Sequence, residues 1–474
     1  MAKGTKKKET LTPEEKLQQA LVPVEGQPYP VPGNWCWTKV GILSSLHRGV
    51  SYKKNDAHAV KGANDCLIMR GGNIGEGFID IDADNVYVDK KLVADNQFIR
   101  SNDIIIVAST GSTKVIGRAG ISSSDYDDVA FGAFLMLLRP FKDCLPRYMD
   151  LFFQSDLYRN RIRDLASGVN INNIRADYIT EMPYPLPPLP EQQRIVARIE
   201  SLFAKLDEVK EKAQAVVDGY EDRKAAILHK AFTGELTAKW REEKGLNLNW
   251  KNKRINEVSI PRAGFAFNSK KFCNSGFQII RMGNLYAGEL NLTRNPVFID
   301  QKDIDSAILK RALIKDGDIL ITLTGTKYKR DYGYAVRISG IENLLVNQRI
   351  LCLTPKDDIF PDYLLHYLCS DLFRNIFFSN ETGGVNQGNV SSKFVENINI
   401  PFPDFNEQIQ IAKMVNDFLN NETSIKFIAQ SVLDQIDNMK KSILARAFRG
   451  ELGTNDPADE PAVELLKKVL EEEN

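Results

Sequence analysis

The chain has 474 residues, 43% of them hydrophobic, and its 62 basic side chains are balanced by 62 acidic ones. This length corresponds to about three average domains, each with enough residues to bury a core. A net charge of zero excludes a protein that coats nucleic acid without selectivity, because such binding depends on neutralising phosphates. The charge is unevenly spread along the chain, so local basic surfaces remain compatible with it.

The cysteines and the apolar runs predict a cytoplasmic protein that is not bound to a membrane. The six cysteines form no C-x-x-C pair, which predicts neither a zinc site nor a disulfide framework. The longest apolar run, FGAFLMLL from Phe131, is far shorter than the roughly 20 residues of a membrane-spanning helix. The basic N-terminus, MAKGTKKKET, is not followed by the apolar segment of a signal peptide.

Segments of the chain recur about 215 positions later, over almost its whole length. The recurring segments are residues 155–160 and 370–375, 167–174 and 383–390, 185–196 and 401–412, and 224–236 and 440–452. Trp35 and Trp250 also align, near the start of each copy. This duplication predicts two equivalent units related by approximate two-fold symmetry.

Each copy begins with a mixture of short strands and helices. NDIIIVAST from Asn102 and GDILITLTG from Gly317 are β-branched runs between turn residues, so they predict buried strands. The segments that begin at Pro146 and Pro361 have helical spacing with proline in the first turn. Proline-rich stretches then end each globular part and start a new element.

The new element in each copy is a long helix whose apolar residues alternate at spacings of four and three. The predicted coiled-coil residues are Ile195, Ile199, Leu202, Leu206, Val209 and Val216 in the first helix, and Ile411, Val415, Phe418, Ile425, Val432 and Ile436 in the second. This spacing favours pairing of the two helices over an amphipathic helix on a globular core, and a two-fold relation between the units would make the pairing antiparallel. Arg223 and Glu422 interrupt the pattern, and we expect Glu422 to be solvated, with a role in register or in meeting a partner chain as the alternative.

The length of the first helix also suggests a spacing device. Between Ile195 and Ile227 the helix rises by about 1.5 Å per residue, which gives a rod of roughly 48 Å. One turn of B-DNA measures about 34 to 36 Å. Two globular heads held apart by such a rod could therefore reach grooves of a duplex about one turn apart or somewhat more.

The chain contains no recognisable catalytic or metal-binding motif. The phosphate loop G-x-x-x-x-G-K-[ST], the G-x-S-x-G elbow, the H-E-x-x-H pair and the N-P-P-Y or D-P-P-Y tetrapeptide of amino-methyltransferases are all missing. The four histidines are dispersed, and His229 corresponds to Ala445 in the other copy. We therefore predict no catalytic residues, no metal ligands and no cofactor bound by this chain.

Basic, aromatic and amide side chains recur in turns of both copies. The candidate DNA-binding residues are Tyr52, Lys53, Lys54, Arg70, Asn73 and Lys114 in the first copy, and Phe267, Lys270, Lys271, Arg281, Asn284, Lys327, Tyr328, Lys329 and Arg330 in the second. Arginine can read guanine and asparagine can read adenine, whereas lysine pairs suit phosphates. A solvated surface loop is the alternative for each residue, and recurrence in both copies favours a functional surface.

The two Trp-initiated units, the PLPPLPEQQRIV and PFPDFNEQIQIA junctions, the long helices and the closing AFTGEL and AFRGEL resemble the specificity subunit of Type I restriction-modification enzymes. The resemblance covers residues from about Pro32 to Leu452. It implies an α+β fold in which two tandem mixed α/β target recognition domains are joined by two long antiparallel coiled-coil helices with pseudo-two-fold symmetry. The implied segments are an N-terminal arm (1–30), target recognition domain 1 (31–189), a central long helix (190–236), a linker with target recognition domain 2 (237–404), a C-terminal long helix (405–452) and an acidic helical tail (453–474).

The resemblance also implies function and partners. Each recognition domain would read one half of a bipartite site in double-stranded DNA, and the helices would fix the unread spacer and dock two methyltransferase subunits. Restriction subunits would complete the complex, with S-adenosylmethionine, ATP and Mg on the partner subunits. The acidic tail is expected to contact protein or solvent rather than DNA. The alternative from another class is a non-enzymatic coiled-coil scaffold whose heads bind proteins.

One segment departs from the family pattern. In the second copy, Asn347 and Gln348 precede a strand as is usual in the family, whereas Gly132 and Ala133 stand there in the first copy. A role for these side chains cannot be transferred between the copies. Both turn support and DNA contact remain open for them.

Overall fold

The computed structural model of the chain describes residues 12–166, 172–286, 288–384 and 386–472. The basic N-terminal stretch and residues 167–171 of the recurring segment 167–174 lie outside this range. The chain divides into two compact units, of which the first takes Met1–Lys212 with Val432–Asn474 and the second takes Ala213–Ser431. Each unit therefore contains sequence from both copies of the duplication.

The strands of the first unit form small sheets. They are β1 (Cys36–Lys39), β2 (Ser44–Arg48), β3 (Asp65–Met69), β4 (Tyr87–Asp89), β5 (Ile104–Val107), β6 (Ser109–Thr110), β7 (Ala119–Ile121), β8 (Val129–Phe131), β9 (Leu135–Pro140), β10 (Asn172–Asn173) and β11 (Pro183–Leu186). An antiparallel sheet has the order β2-β9-β5-β7, and a mixed sheet has the order β4-β3-β8 with β3 parallel to β8. The remaining antiparallel pairs are β1-β11 and β6-β10.

The second unit repeats this arrangement. Its strands are β12 (Lys251–Arg254), β13 (Ser259–Ala263), β14 (Phe272–Cys273), β15 (Phe277–Ile280), β16 (Leu285–Tyr286), β17 (Glu289–Leu290), β18 (Phe298–Ile299), β19 (Ile319–Thr322), β20 (Thr324–Gly325), β21 (Ala335–Arg337), β22 (Leu344–Val346), β23 (Ile350–Pro355), β24 (Gly388–Asn389) and β25 (Asn399–Phe402). The orders β13-β23-β19-β21 and β14-β18-β15-β22 correspond to the two sheets of the first unit, with β15 parallel to β22. The pairs β12-β25 and β20-β24 correspond to β1-β11 and β6-β10, and β16-β17 is a hairpin.

The two predicted buried strands are confirmed as the centre of these sheets. Every residue of β5 and of β19 is buried. Alternate side chains of β5 enter different apolar clusters, with Ile104 and Ile106 in one and Ile105 and Val107 in another. Burial on both faces explains why these segments read as continuous apolar runs.

The helices include both long elements that the sequence predicts. They are α1 (Pro13–Ala20), α2 (Val40–Leu43), α3 (Pro146–Gln154), α4 (Asp156–Ala166), α5 (Ala176–Thr180), α6 (Leu189–Asp218), α7 (Tyr220–Thr233), α8 (Ala238–Glu243), α9 (Ile255–Val258), α10 (Ser306–Ala312), α11 (Pro361–Cys369), α12 (Asp371–Ser379), α13 (Ser392–Glu396), α14 (Phe405–Phe448) and α15 (Ala462–Glu472). In the described part of the chain, no helix is both long enough and apolar enough to cross a membrane.

The helical segments that begin at Pro146 and Pro361 are each split by a serine. Ser155 separates α3 from α4, and Ser370 separates α11 from α12, both with extended backbone. The Ser370 hydroxyl accepts a hydrogen bond from the amide of Phe373 at 3.3 Å and so caps the second helix of the pair. Because the serine caps the second helix, the chain can change direction at this residue and begin a new helix at once.

The first long helix is interrupted, whereas the second is continuous. Gly219 separates α6 from α7, while α14 runs through the equivalent region without a break. A β-carbon at Gly219 would lie 2.6 Å from Nη1 of Arg223, whose Nη2 donates to the carbonyl of Val216 at 2.9 Å. The arginine side chain therefore lies across the interruption and replaces part of the lost helical hydrogen bonding.

The two residues that interrupt the heptad pattern contact each other. Nε of Arg223 donates to Oε2 of Glu422 at 2.8 Å, and Glu422 is buried. The prediction that Glu422 is solvated is therefore wrong, because a charge on the other helix compensates its carboxylate. The apolar positions of the pattern are buried near the helix starts, at Ile195, Ile199, Ile411 and Val415 among others, but Val209 and Ile425 are half exposed.

The acidic tail packs on its own chain. Ala462, Leu465, Leu466 and Val469 of α15 are buried, and they belong to the main apolar cluster of the first unit. The amide of Ala462 also donates to the carbonyl of Asn34 at 2.9 Å. The protein that the tail contacts is thus the first unit itself, where Asp459 of the tail also accepts from Arg194 at 2.5 Å.

A buried glutamate begins each long helix and joins three segments of the chain. In the first unit, Oε2 of Glu191 accepts from Nε1 of Trp35 at 2.7 Å and from Nδ2 of Asn455 at 2.8 Å. In the second unit, Glu407 accepts from Trp250 at 3.0 Å and from Arg241 at 2.5 Å.

Both glutamates lie in the first turn of a helix, where the unpaired amides favour a negative charge. The donors Asn455 and Arg241 follow the closing GEL segments at residues 450–452 and 234–236. In each unit, the segment that follows one copy's helix is therefore fixed to the tryptophan and helix start of the other copy.

We expect Arg223→Met to destabilise the helix contact of the second unit by about 1–3 kcal/mol, because Glu422 would be left buried without a partner. Adding Glu422→Leu should restore the lost stability. Met439 and Leu206 already occupy the equivalent positions 216 residues away, so the double variant copies a native combination.

Amide hydrogen exchange measures this effect locally. Faster exchange is expected in residues 216–233 and 415–431 of the single variant, with protection recovered in the double variant. Residues 195–212 serve as the internal control. Unchanged protection in the single variant would contradict a stabilising role for the ion pair.

Candidate nucleic-acid interface

Three turns of the first unit are held together at the ends of its strands. The turns are residues 49–54 after β2, 70–74 after β3, and 132–134 between β8 and β9. The amide of Val50 donates to the carbonyl of Phe131 at 2.7 Å, and that of Gly132 donates to the carbonyl of Met69 at 2.9 Å. These backbone bonds place Tyr52, Lys53 and Lys54 in a turn beside the one that carries Arg70.

The second unit builds the same three turns from residues 264–271, 281–285 and 347–349. The amide of Phe265 donates to Val346 at 3.0 Å, and that of Asn347 donates to Ile280 at 3.0 Å. The backbone role of residue 347 is therefore the same as that of Gly132. The side chain of Gln348 is exposed and that of Asn347 is half exposed, so turn support comes from their backbone. We call these turns, in either unit, the strand-end turns.

In each unit, a glycine allows the first and the third strand-end turn to lie close together. A β-carbon at Gly49 would lie 2.2 Å from the carbonyl oxygen of Gly132, and one at Gly264 would lie 2.0 Å from that of Asn347. No other residue type fits so close to a neighbouring backbone. The segments GVSY at residues 49–52 and GFAF at residues 264–267 thus share a glycine that packing requires, and this packing brings the following Lys pairs to the strand ends.

An arginine of the recurring segments 155–160 (SDLYRN) and 370–375 (SDLFRN) holds a basic loop next to the strand-end turns. We define the basic loop as residues 111–117 in the first unit and 326–333 in the second. Arg159 donates to the carbonyls of Ile116 at 3.1 Å and Lys114 at 2.8 Å. Arg374 donates to the carbonyls of Gly333 at 3.0 Å and Arg330 at 2.9 Å. Burial lowers the pKa of both guanidinium groups, which nevertheless stay charged because their usual pKa is so high.

The basic loop of the second unit has an unusual backbone. Tyr328 and Arg330 have positive φ angles of 67° and 51°, and the side chain of Tyr328 is 80% exposed. Glu381 supports this shape, since it accepts from the Tyr332 hydroxyl at 2.8 Å and from the amide of Tyr328 at 3.3 Å. A strained loop of this kind presents Tyr328 and its neighbouring cations to solvent.

The remaining cations of this loop have different contacts. Nζ of Lys327 donates to the carbonyl of Gly383 at 2.9 Å and lies over the Tyr328 ring. Arg330 donates to Asn375 at 3.1 Å, and Lys329 is exposed. In the first unit, Lys114 is the exposed cation of the basic loop.

Two predicted base-reading residues have a structural role instead. Asn73 and Asn284 are buried, and their side-chain oxygens accept from the amides of Arg70 at 2.8 Å and Arg281 at 3.0 Å. Their side-chain nitrogens donate to the carbonyls of Asp80 at 2.8 Å and of Asn291 at 2.9 Å. The expectation that these asparagines read adenine is not supported, because both ends of each amide already hold the turn.

The arginines of the same turns differ between the units. Arg70 forms an ion pair with Asp84, whereas Nη2 of Arg281 donates to the carbonyl of Asn295 at 2.6 Å. Lys271 pairs with Asp303 at 3.3 Å, while Lys270 is exposed. Arg281 thus has no carboxylate partner in the described part of the chain.

The predicted aromatic residues next to the Lys pairs support the turns rather than facing solvent. Tyr52 packs against a small apolar cluster of the first unit. Phe267 packs against a larger one in the second unit, with its ring 5.1 Å from that of Phe265. Lys53 and Lys54 are exposed beside Tyr52.

The structure adds residues that the sequence did not single out. Phe134 is 68% exposed at the third strand-end turn, and Arg349 occupies the equivalent position in the second unit. Their carbonyls accept from the amides of Ala108 and Leu323, the residues that directly follow β5 and β19, at 2.9 Å in each case. Phe134 lies within the apolar run FGAFLMLL, and this pattern indicates a buried side chain rather than an exposed one. Within the described ranges, no group of three or more His, Cys, Asp or Glu is placed to hold a metal ion.

Known proteins are similar to this chain in sequence and in fold. Residues 35–217 and 247–432 match the model of the Type I restriction modification DNA specificity domain. The chain is 28% identical over 461 residues to the Type I restriction enzyme EcoKI specificity subunit of Escherichia coli (strain K12), covering 93% of this chain and 96% of that protein. It is 25% identical over 452 residues to the StySPI specificity subunit of Salmonella potsdam, with the same coverage of both.

A solved structure supports the same architecture. The crystal structure of the HsdS subunit from Thermoanaerobacter tengcongensis superposes with a TM-score of 0.60. It covers 90% of this chain and 99% of that one, at 19% identity. At this level of identity the similarity concerns the fold: tandem domains of mixed α/β structure.

We expect Arg374→Lys to loosen the basic loop of the second unit while keeping the positive charge. A lysine cannot reach the carbonyls of Arg330 and Gly333 together, and each lost charged hydrogen bond costs about 1.5–3 kcal/mol. Amide exchange in residues 326–333 should rise by about tenfold or more, with no change in residues 111–117. Arg159→Lys is the matched variant and should show the reverse pattern. Equal protection of residues 326–333 in variant and parent would contradict this role.

Proposed function

The chain belongs to the family of Type I restriction-modification DNA specificity proteins, and from this membership we propose that it reads a bipartite target in double-stranded DNA and performs no bond chemistry by itself. The observation that carries the proposal is the recurrence of one surface in both units. Strand-end turns and a basic loop lie together in each, with exposed cations at equivalent places. Such a surface supplies lysines for phosphates and an arginine and aromatic residues for bases.

The two surfaces differ where they would contact DNA. The basic loop region reads GSTKVIGRAG in the first unit and GTKYKRDYGY in the second, although Arg159 and Arg374 hold both loops in the same way. Phe134 and Arg349 differ as well. A common framework with different exposed side chains supports two unlike half-sites.

We assign the long helices the role of fixing the unread spacer, as an antiparallel coiled coil with pseudo-two-fold symmetry. Contacts inside the first unit support the direction: Lys440 pairs with Asp207 at 2.5 Å, and Lys210 pairs with Asp437 at 4.0 Å. Residue numbers rise along one helix as they fall along the other, which is the mark of antiparallel packing. The predicted rod length and the spacer that it sets stay predictions.

The same helices would also dock the partner subunits. On α14 the side chains of Phe427 and Ile428 are exposed, with Phe427 at 76%. Exposed apolar residues of this size mark protein-binding surfaces. We assign to the complex two methyltransferase subunits and the restriction subunits, with S-adenosylmethionine, ATP and Mg on those partners, and a cytoplasmic location.

The adenine methylome of cells that carry the complete system tests the bipartite proposal. We expect methylation in one asymmetric motif whose two specified halves are separated by a gap of fixed length. The gap follows from the rigidity of paired helices, and the asymmetry follows from the different basic loops. Strains that lack this subunit provide the control. A motif that is uninterrupted or palindromic would refute the proposal.

Arg281→Ala and Lys270→Ala should affect binding differently. Loss of the guanidinium is expected to relax preference at one base position by about 1–3 kcal/mol, whereas loss of Lys270 should weaken all sequences alike and make the salt dependence shallower. Fluorescence titrations of the assembled complex with matched and mismatched duplexes measure both. An equal loss on every sequence for Arg281→Ala would make it a backbone contact.

The alternative of a protein-binding coiled-coil scaffold is tested by the same titrations. Phosphate contacts make log K fall steeply with log[salt]. If the assembled complex shows no salt-dependent affinity for any duplex, the scaffold is the better description.

A further inference from the structure

A charged cleft of about 440 Å³ lies in the first unit, beside the recognition domain. Its walls come from the start of β7, the end of α3, the helix α4, and the parts of α6 and α14 that belong to this unit. Arg159, the residue that holds the basic loop, is one of its lining residues. The cleft therefore opens at the foot of the loop that we propose to face DNA.

Cations dominate the described lining of this cleft. They are Arg118, Arg159, Arg163, Lys210, Lys440 and Lys441. Glu76, Asp156 and Asp437 are the carboxylates among the described lining residues. Asp207, which lies outside the lining, also pairs with Lys440 at 2.5 Å. With this carboxylate included, the cations still outnumber the carboxylates around the cleft.

The three carboxylates are fewer than the cations with which they share the cleft. Asp437 lies 4.0 Å from Lys210, at the edge of an ion-pair distance. Nη2 of Arg118 donates to the carbonyl of Gly71 at 3.1 Å, while its buried Nε has no hydrogen-bond acceptor within the described ranges.

The second unit has the same cleft with a different charge. It is lined by Lys224, Leu228, Asp371 and Arg374, which stand where Lys440, Leu444, Asp156 and Arg159 stand in the first unit. The framework of the cleft is therefore part of the duplicated fold.

Its electrostatic character is not duplicated. Ala225 replaces Lys441, and Gly333 and Tyr334 line the region where Arg118 stands in the first unit. The described lining of the second cleft has Lys224 and Arg374 as cations and the carboxylates of Glu221, Asp222 and Asp371. Since the second unit folds without the cationic surplus, packing does not require it in the first.

We propose that the cleft of the first unit binds the phosphodiester backbone of the DNA beside the half-site that this unit reads, and that the second unit has no equivalent contact. The proposal rests on the function proposed above. Lys441 is exposed at the cleft and supplies a point charge for a phosphate, and Lys210 lies on the same side. The contact carries no base information, so it contributes affinity and position equally on all sequences.

Lys441→Ala tests this contact in the subunit assembled with its methyltransferase partners. The substitution installs the residue that the second copy has at the equivalent position, Ala225, so the fold should tolerate it. Fluorescence anisotropy with a target duplex and a scrambled duplex gives affinity at several salt concentrations.

We expect the slope of log K against log[salt] to become shallower by up to about 0.9, the value for one phosphate contact. Affinity at low salt should fall by the same factor on both duplexes. Lys210→Gln combined with Lys441→Ala should enlarge both effects. Lys224→Ala in the second cleft is the matched control and should leave the slope unchanged.

Each contrary outcome has its own meaning. An unchanged slope and affinity in the double variant, with the complex intact by native mass spectrometry, would overturn the phosphate contact. Loss of methyltransferase subunits from the variant complex would show that the cleft binds an acidic protein segment instead. If the parent complex prefers no sequence at all, the proposed function fails, and that result is visible without any variant.

Discussion

The arrangement of each unit depends on one buried carboxylate. Glu191 and Glu407 are nearly inaccessible to water, and an isolated buried charge would cost far more than a domain can compensate. Each therefore requires donors on several sides: the helix start, the indole of Trp35 or Trp250, and a segment that follows the GEL end of the other copy. Because the donors come from distant parts of the sequence, these hydrogen bonds also hold the tryptophan, the helix start and the segment after GEL together in each unit.

The two units satisfy the same charge with different chemistry. Glu407 accepts from the guanidinium of Arg241 and from the hydroxyl of Thr237, whereas Glu191 accepts from the hydroxyl of Thr454 and the amide of Asn455. The first unit also has the helix α15 next to this contact, and the apolar face of α15 packs into the core that contains Trp35. Duplication thus kept the geometry of the contact and allowed its partners to change.

The same division into framework and variable parts applies to the proposed interface. Arg159 and Arg374 hold backbone carbonyls, so their role is independent of the side chains in the basic loop. Exposed side chains can then vary without loss of loop shape. The paired clefts follow this rule too, with common helices and different charge. Specificity can change on such a scaffold because the residues that fold the loop are not those proposed to contact bases.

Local chemistry decided which features could be predicted from the sequence. The strands β5 and β19, the proline-started helices, the long helices and the duplication itself all follow from spacing and residue type, which act over a few residues. The family followed from the junctions and the GEL endings. Tertiary structure decided the rest, because it depends on neighbours far apart in the chain. It buried Asn73 and Asn284 in their turns, paired Glu422 with Arg223, exposed Phe134 within an apolar run, and gathered six cations from separate elements into one cleft. The type of a residue determines which contacts its side chain can make. Only the folded chain determines which of these contacts form, because it brings the partner residue into reach.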